Sequence, residues 1–228
     1  WDERVTALLA DLPVKVKYAY YGNPDAKTAR ARINSLQLFG NTSPSRLPLK
    51  KFFGLGLAKM IDRFNVQNLK KYDLVGNVAM NDVLYYRKRH LNHVHYVRNL
   101  WATSDFTKVL EVKKKRELSG NKIVANIGNV GGTANTLGLD LLGREFIPEL
   151  KKRLGAGSFE ICICGGGTMN PRVKAELKKH DEVKIMGYVD DIDLVLQEAK
   201  VLLTLNNASS LKVGHTRYLH AWSLGTIN

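Results

Sequence analysis

Cysteine is nearly absent from this sequence, which has two in 228 residues, Cys162 and Cys164. They sit two apart in one apolar run, too close along a strand to bridge without distortion. That excludes a disulfide framework and points to a reducing compartment. Long apolar runs are missing as well: no stretch approaches the roughly 18 consecutive apolar residues that a membrane-spanning helix needs. The opening Trp1-Asp2-Glu3-Arg4 is not that of a secretory signal. Acidic residues are scarce, 21 against 35 Lys and Arg, for a net charge of +14. With 44% hydrophobic and 25% charged residues, the composition is that of an ordinary globular protein and excludes disorder, collagen and coiled coil.

The length allows one large domain or two small ones, either able to bury a core without disulfides or metal. Charge is uneven: residues 1–120 hold 22 Lys and Arg against 10 Asp and Glu, whereas 121–228 hold 13 against 11. A basic first half fits nucleic acid, an anionic membrane surface or a phosphorylated substrate, and charge alone does not choose among them. There is no initiator Met, and an amphipathic pattern (Val5, Leu8, Leu9, Leu12) is running at the start. The other end, Thr226-Ile227-Asn228, reads as a new strand. The expectation is a piece of a longer protein.

Alternation over Val14–Tyr20 predicts a strand, closed by Gly22-Asn23-Pro24-Asp25. Helices are expected over Ala26–Phe39 and about Pro48–Phe64. In the second of these Leu49, Phe52, Phe53, Leu57, Met60, Ile61 and Phe64 follow the i, i+3, i+4 period, with Lys51, Lys59 and Arg63 opposite. Two readings stay open for it: an apolar face in the core, or a basic amphipathic helix on an anionic membrane. Tyr72–Ala79 and His93–Val97 read as strands around a helix, Asn81–His90, with Asn81 as its cap. The polar run Lys113-Lys114-Lys115-Arg116-Glu117 places an interdomain connection at 106–121, between domains at 1–105 and 122–228. His90, His93 and His95 cluster, and His93 and His95 share one face of a strand, but no further ligand on that face and no supporting shell is visible, so no metal site is expected. Tyr85-Tyr86-Arg87-Lys88-Arg89 sits at helical spacing without a nucleic-acid motif, and nucleic acid is not the expected partner.

After residue 121 short apolar strands alternate with helices. Strands are expected at Lys122–Gly128, Phe159–Cys164, Val183–Gly187 and Val201–Leu205; helices at Thr136–Leu154, Pro171–His180, Ile192–Ala199 and Gly214–Leu224. Continuously apolar strands imply a parallel, doubly wound sheet covered on both faces, with ligands at the carboxyl ends of its strands. The glycines fall at those ends: Gly128-Asn129-Val130-Gly131-Gly132-Thr133, Gly165-Gly166-Gly167 and Gly187-Tyr188-Val189. The first loop is neither a P-loop nor GxGxxG. Lys212, His215 and Arg217 flank the start of the last helix, so anion binding at this rim is the natural inference.

In order and spacing, Ala125-Asn126-Ile127-Gly128-Asn129-Val130, Phe146-Ile147-Pro148-Glu149-Leu150, the two later glycine turns and Gly214-His215-Thr216-Arg217-Tyr218-Leu219-His220-Ala221-Trp222-Ser223-Leu224-Gly225-Thr226 resemble the C-terminal domain of GT-B glycosyltransferases, nearest the group 1 or family 4 retaining type. Tyr72–Trp101 resembles the end of that family's N-terminal domain. The resemblance implies an α/β, GT-B-like fold of two Rossmann-like doubly wound domains with mostly parallel sheets, both incomplete. It also implies sugar transfer from a nucleotide-sugar donor to a glycan or lipid-linked acceptor, retaining, with no cofactor or metal. The protein would be cytoplasmic and peripheral on the inner membrane face. A noncatalytic binding module and a sugar-nucleotide epimerase are the alternatives.

Carried over by position, Gly128, Asn129, Gly131, Gly132, Thr133, Gly165 and Gly166 would approach the donor's diphosphate or sugar. Gly187, Tyr188 and Val189 would bracket the base, and Lys212, Gly214, His215, Thr216 and Arg217 would face the diphosphate. Where many relatives carry an Arg and a Lys, Asn129 and Asn135 stand here. His220 replaces the glutamate that usually reaches the ribose. The histidine or aspartate often supplied by the N-terminal domain would lie before Trp1 or be missing, and no catalytic residue is assigned.

Overall fold

The structure, a computed structural model, describes residues 3–22, 24–40, 43–98, 106–205, 211 and 215–227. It divides into two units, the first built mainly from Trp1–Asn99 and the second from Leu100–Asn207 with Gly214–Asn228.

In the first unit three short strands, β1 (Tyr18–Tyr21), β2 (Leu74–Asn77) and β3 (Val94–Tyr96), pair in parallel in that order. Alternation predicts a strand from Val14, yet the ladder starts only where Asp73 meets Lys17, whose amide donates to the Asp73 carboxylate at 2.7 Å. Val14 and Val16, with no strand beside them in the described residues, are exposed. Helices α1 (Glu3–Leu9), α2 (Asp25–Asn34), α3 (Leu36–Phe39), α4 (Leu47–Leu69) and α5 (Met80–Arg87) complete the unit. The expected helix 26–39 is broken at Ser35. Asn81 lies inside α5 rather than capping it, because Asn77 has already closed the turn by accepting from the Ala79 amide at 2.8 Å. The core gathers Leu69, Tyr72, Val75, Val83, Tyr86, Leu91 and Val94.

Side chains of α4 do not follow the core reading of its pattern. Its inward face buries Ala58, Asn65, Asn68 and, at its end, Leu69, with Ile61 and Val66 half-buried, while Leu49, Phe52, Phe53, Leu57, Met60 and Phe64 are exposed. The reason is close packing on α2: a Cβ built on Gly54 would stand 2.9 Å from Ile33 Cγ1. Asp62, also turned inward, accepts from Tyr85 Oη at 2.6 Å and Arg89 Nε at 2.9 Å. Burial, then the Asp62 bond, pushes the Tyr85 phenol far up.

The second unit opens with α6 (Phe106–Leu118), where the sequence suggested a connection. Lys113, Lys114 and Lys115 are exposed, but Val112 and Arg116, one turn apart, are buried. Arg116 donates to the carbonyls of Gly225 (2.6 Å), Leu224 (2.8 Å) and Leu196 (3.1 Å) and to Thr226 Oγ1 (2.7 Å). One guanidinium thus fastens this helix to the end of the chain.

Strands β4 (Lys122–Asn126), β5 (Glu160–Cys164), β6 (Val183–Gly187) and β7 (Val201–Leu202) form a parallel sheet ordered β6-β5-β4-β7. Numbered within the sheet this is 3-2-1-4, the Rossmann order. Ile227 adds a bridge beside Val201, where a new strand was expected. Central β4 and β5 are buried as their apolar runs require. Edge strand β6 is not: Lys184, Ile185 and Met186 are exposed, so coverage on both faces fails at that edge.

The single helix expected over 136–154 is α7 (Thr133–Leu141), one widened turn (Leu142–Phe146) and α8 (Ile147–Leu154). The Ile147 amide reaches Leu142 O, five residues back. The next residue, Pro148, has no N–H for Gly143 O. His180 Nε2 donates to that carbonyl instead, at 2.9 Å. The remaining helices are α9 (Pro171–Leu177), α10 (Ile192–Glu198) and α11 (His215–Ser223).

Candidate functional site

Both register shifts in this sheet fall toward the carboxyl ends of its strands, between Val124 and Asn126 in β4 and between Ile163 and Cys164 in β5. Such bulges re-aim the chain. Asn126 turns its side chain into the gap and donates to Cys164 O at 2.9 Å and Gly128 O at 3.1 Å, tying two strand ends together. The Gly165 amide then donates to Gly187 O at 2.6 Å, joining the third. Only glycine fits at 165: φ is +147°, and a Cβ there would lie 1.6 Å from Gly128 O.

Above these ends lies a cleft of about 640 Å³. Its floor is Ile127, Gly128, Cys164, Gly165, Gly166 and Gly167; Tyr188, Val189 and Ile192 form one wall, and Thr216, Arg217 and His220 of α11 the other, with Asn129 at the rim. Among the described residues that line it there is no carboxylate, and Arg217 is the one guanidinium. Its Nη1 donates to Asn135 Oδ1 at 2.9 Å, and its Nη2 would be 3.6 Å from a Cβ on Gly128. Burial pulls the Arg217 pKa down, but guanidinium starts so high that it stays charged. Asn135 in turn donates to Asn129 O at 2.6 Å, and Asn129 Oδ1 accepts from the Gly131 amide at 2.8 Å. The two asparagines where Arg and Lys were expected therefore shape the loop and seat an arginine that comes from α11. His220 Nε2 pairs with Asp193 Oδ1 on α10. Tyr188 stands over Gly166, and the residue is 77% exposed.

Of the residues singled out by sequence, the cleft gathers Gly128, Asn129, Gly165, Gly166, Tyr188, Val189, Thr216, Arg217 and His220. Gly131, Gly132 and Thr133 do not line it; they turn the chain into α7, with Gly132 as its N-cap. Gly187 serves through its carbonyl beneath the floor. His215 begins the α11 backbone, while Lys212 and Gly214 lie outside the described residues. The sequence reading missed Asn126, Asp193 and Ile192. Asn126 lay at the end of an apolar run, where a buried amide is a recognisable signal; the other two are set by folding. Cys164 is part of the floor but only 1% exposed, and burial raises its thiol, which leaves it unreactive. Among the described residues no group of three or more His, Cys, Asp or Glu converges as a metal site; His93 Nε2 bonds Leu69 O at 2.9 Å.

Residues 121–226 match the family described as Glycosyl transferases group 1. No curated protein matches the chain in sequence. Among solved structures it is similar to a UDP-forming alpha,alpha-trehalose-phosphate synthase from Burkholderia xenovorans in complex with glucose-6-phosphate, at 10% identity and TM-score 0.53 over 96% of this chain and 60% of that one. It is also similar to the trehalose-6-phosphate protein from E. coli bound with UDP-2-fluoro glucose, at 12% identity and TM-score 0.52 over 96% of this chain and 59% of that one. The chain thus spans about three-fifths of the length of these structures. At such identities the likeness is one of fold: this chain has the two-unit, parallel-sheet GT-B fold, and its residues 121–226 carry the sequence pattern of the group 1 glycosyl transferases.

Proposed function

We propose that this protein is a glycosyltransferase that holds a nucleoside-diphosphate sugar in the cleft of its second unit and passes the sugar to an acceptor bound by the first. The observation that carries the reading is the cleft itself: three strand ends closed by glycine turns and, among the described residues that line it, one guanidinium and no carboxylate. A carboxylate-free recess beside Arg217 suits a diphosphate, whose negative charge grows as the glycosidic bond to it breaks. A cation already in place stabilises that developing charge without reorganising. Thr216 and Arg217, in the first turn of α11, add the positive end of a helix. Retention of configuration, a hexose as the sugar and independence from metal belong to this proposal, the last because Arg217 supplies charge where a cation would otherwise sit. Tyr188 offers its face to the base, and His220, oriented by Asp193, the hydrogen bond to ribose that the usual glutamate would make. The acceptor in this reading is a glycan or lipid-linked sugar, met by a first unit rich in Lys and Arg.

Calorimetric titration with UDP, GDP and ADP and their sugars tests it. One base should bind in the micromolar range, and Arg217→Ala should weaken it by about 10- to 100-fold, the worth of a hydrogen bond to a charged group. Binding of none of them would sink the donor assignment. Binding without release of nucleoside diphosphate from the sugar nucleotide, under any acceptor tried, would favour the noncatalytic module, for which the asparagines at 129 and 135 speak.

A further inference from the structure

Asp193 is not one of the residues lining the cleft, yet it holds one that is. Helix α11 carries Arg217 and His220 three residues apart, about 4.5 Å along its axis and nearly one turn in angle, so both side chains reach the cleft. Arg217 is held on the β4 side, by Asn135 at 2.9 Å. His220 is held on the α10 side, where its Nε2 meets Asp193 Oδ1, and Asp193 follows Ile192 of the wall that Tyr188 and Val189 complete. The order across the cleft is guanidinium, imidazole, apolar wall. A nucleoside diphosphate has the matching order of phosphates, ribose, base. The inference rests on the donor reading above, which seats the diphosphate at Arg217 and the base at Tyr188; the ribose then falls to His220.

A carboxylate only accepts, so the proton between the two side chains sits on Nε2. An imidazole has two nitrogens and Asp193 uses one, so at most one hydrogen bond, at Nδ1, goes to a ligand. A carboxylate in that place can accept from two neighbouring hydroxyls. The other polar side chains among the described lining residues are placed elsewhere. Asn129 Oδ1 accepts from the Gly131 amide at 2.8 Å, Thr216 lies beside Arg217, and Cys164 is buried in the floor.

We propose that the Asp193–His220 pair reads one ribose hydroxyl and no more, so that the cleft takes one of the two deoxynucleoside diphosphates, 2′ or 3′, as readily as the ribonucleotide. Asp193 is a positioning residue in this pair. Sugar nucleotides of 2′-deoxyribose join the donor class if the hydroxyl read is the 3′.

Calorimetry on the whole chain with UDP, 2′-deoxy-UDP and 3′-deoxy-UDP tests it, or with the same three forms of guanosine or adenosine if that base is the one bound. One deoxy form should bind within about twofold of the ribonucleotide and the other about 3- to 10-fold more weakly, the worth of one neutral hydrogen bond. Asp193→Ala should shrink that preference to less than about twofold, whereas Asp193→Asn, which still accepts from Nε2, should keep it. His220→Glu with Asp193→Asn, shown folded by circular dichroism, sets two acceptor oxygens there, and both deoxy forms should then lose about tenfold or more. A loss of about fivefold or more for both deoxy forms on the parent chain would overturn the proposal and leave the donor site standing. So would three equal affinities, because His220 would then touch no ribose hydroxyl, or a preference that Asp193→Ala leaves unmoved. Binding of no nucleotide at all would sink the donor reading itself, and this inference with it.

Discussion

Helix α4 in the first unit and strands β4 and β5 in the second all carry apolar patterns, and they have opposite fates. The strands bury theirs: Val124, Ile161 and Ile163 are inaccessible. The helix turns its stripe outward and packs through Gly54, Ala58 and Asn65. The difference teaches that an apolar period marks a face without saying which way the face looks. A strand with neighbours on both sides has its faces assigned by the sheet. A helix with small residues on its other side can pack closely by that side, and here it does.

Substitutions can break this comparison. The largest effect should come at the cleft floor, where Gly165→Ala puts a methyl group into Gly128 O. Because the clash is with backbone, it should cost about 4 kcal/mol or more, read as a fall in thermal midpoint together with loss of nucleotide binding. Next is Arg116→Met, which keeps much of the stem but leaves carbonyls at the chain end unpaired. A loss of about 3 kcal/mol is expected, confined to the transition of the second unit in calorimetry. An unchanged midpoint would mean that α6 is the connection its basic run suggests.

A smaller effect is tied to pH. The Glu182 carboxyl is held below its ordinary range, first by the bond from Lys151, at 2.7 Å, and further by the Gly157 amide. A carboxyl lowered in the folded state stabilises fully above its unfolded value and loses that contribution as pH falls through the folded one. Glu182→Gln should therefore lower the midpoint at pH 7, with the gap to the parent closing below about pH 4.5. A gap independent of pH would assign the loss to packing. The smallest change is expected for Phe53→Ser with Met60→Ser, within about 0.5 kcal/mol for exposed sites, against about 2–5 for Leu196→Ala in the core. A core-sized loss in α4 would show that its stripe is covered in solution.

Much of the second unit was legible because its signals are local. Apolar runs of strand length, glycines at their ends and the spacing between them place β4, β5 and β6 and the floor of the cleft. Partners distant in sequence were not legible. Arg116 reads as one more cation in Lys113-Lys114-Lys115-Arg116-Glu117, and only the return of the chain at Leu224–Thr226 makes it a buried staple. Asn129 and Asn135 read as losses from a diphosphate clamp; in the structure Asn135, which donates to Asn129 O, accepts from Arg217, over 80 residues later. Residues 136–154 read as one helix, and the widened turn before Pro148 was not legible, because it needs His180 to take the freed carbonyl.

By itself the sequence determined the α/β class, the parallel order implied by strand–helix alternation, the basic first half and the glycine-lined strand ends, since each follows from residue type and short spacing. The tertiary structure alone decided that α4 faces outward, that 106–118 is a helix of the second unit and that Asn135, itself held by Asn129 O, seats Arg217. Those outcomes depend on which distant atoms lie within about 3 Å to satisfy a buried amide, carbonyl or guanidinium, and no local period encodes that.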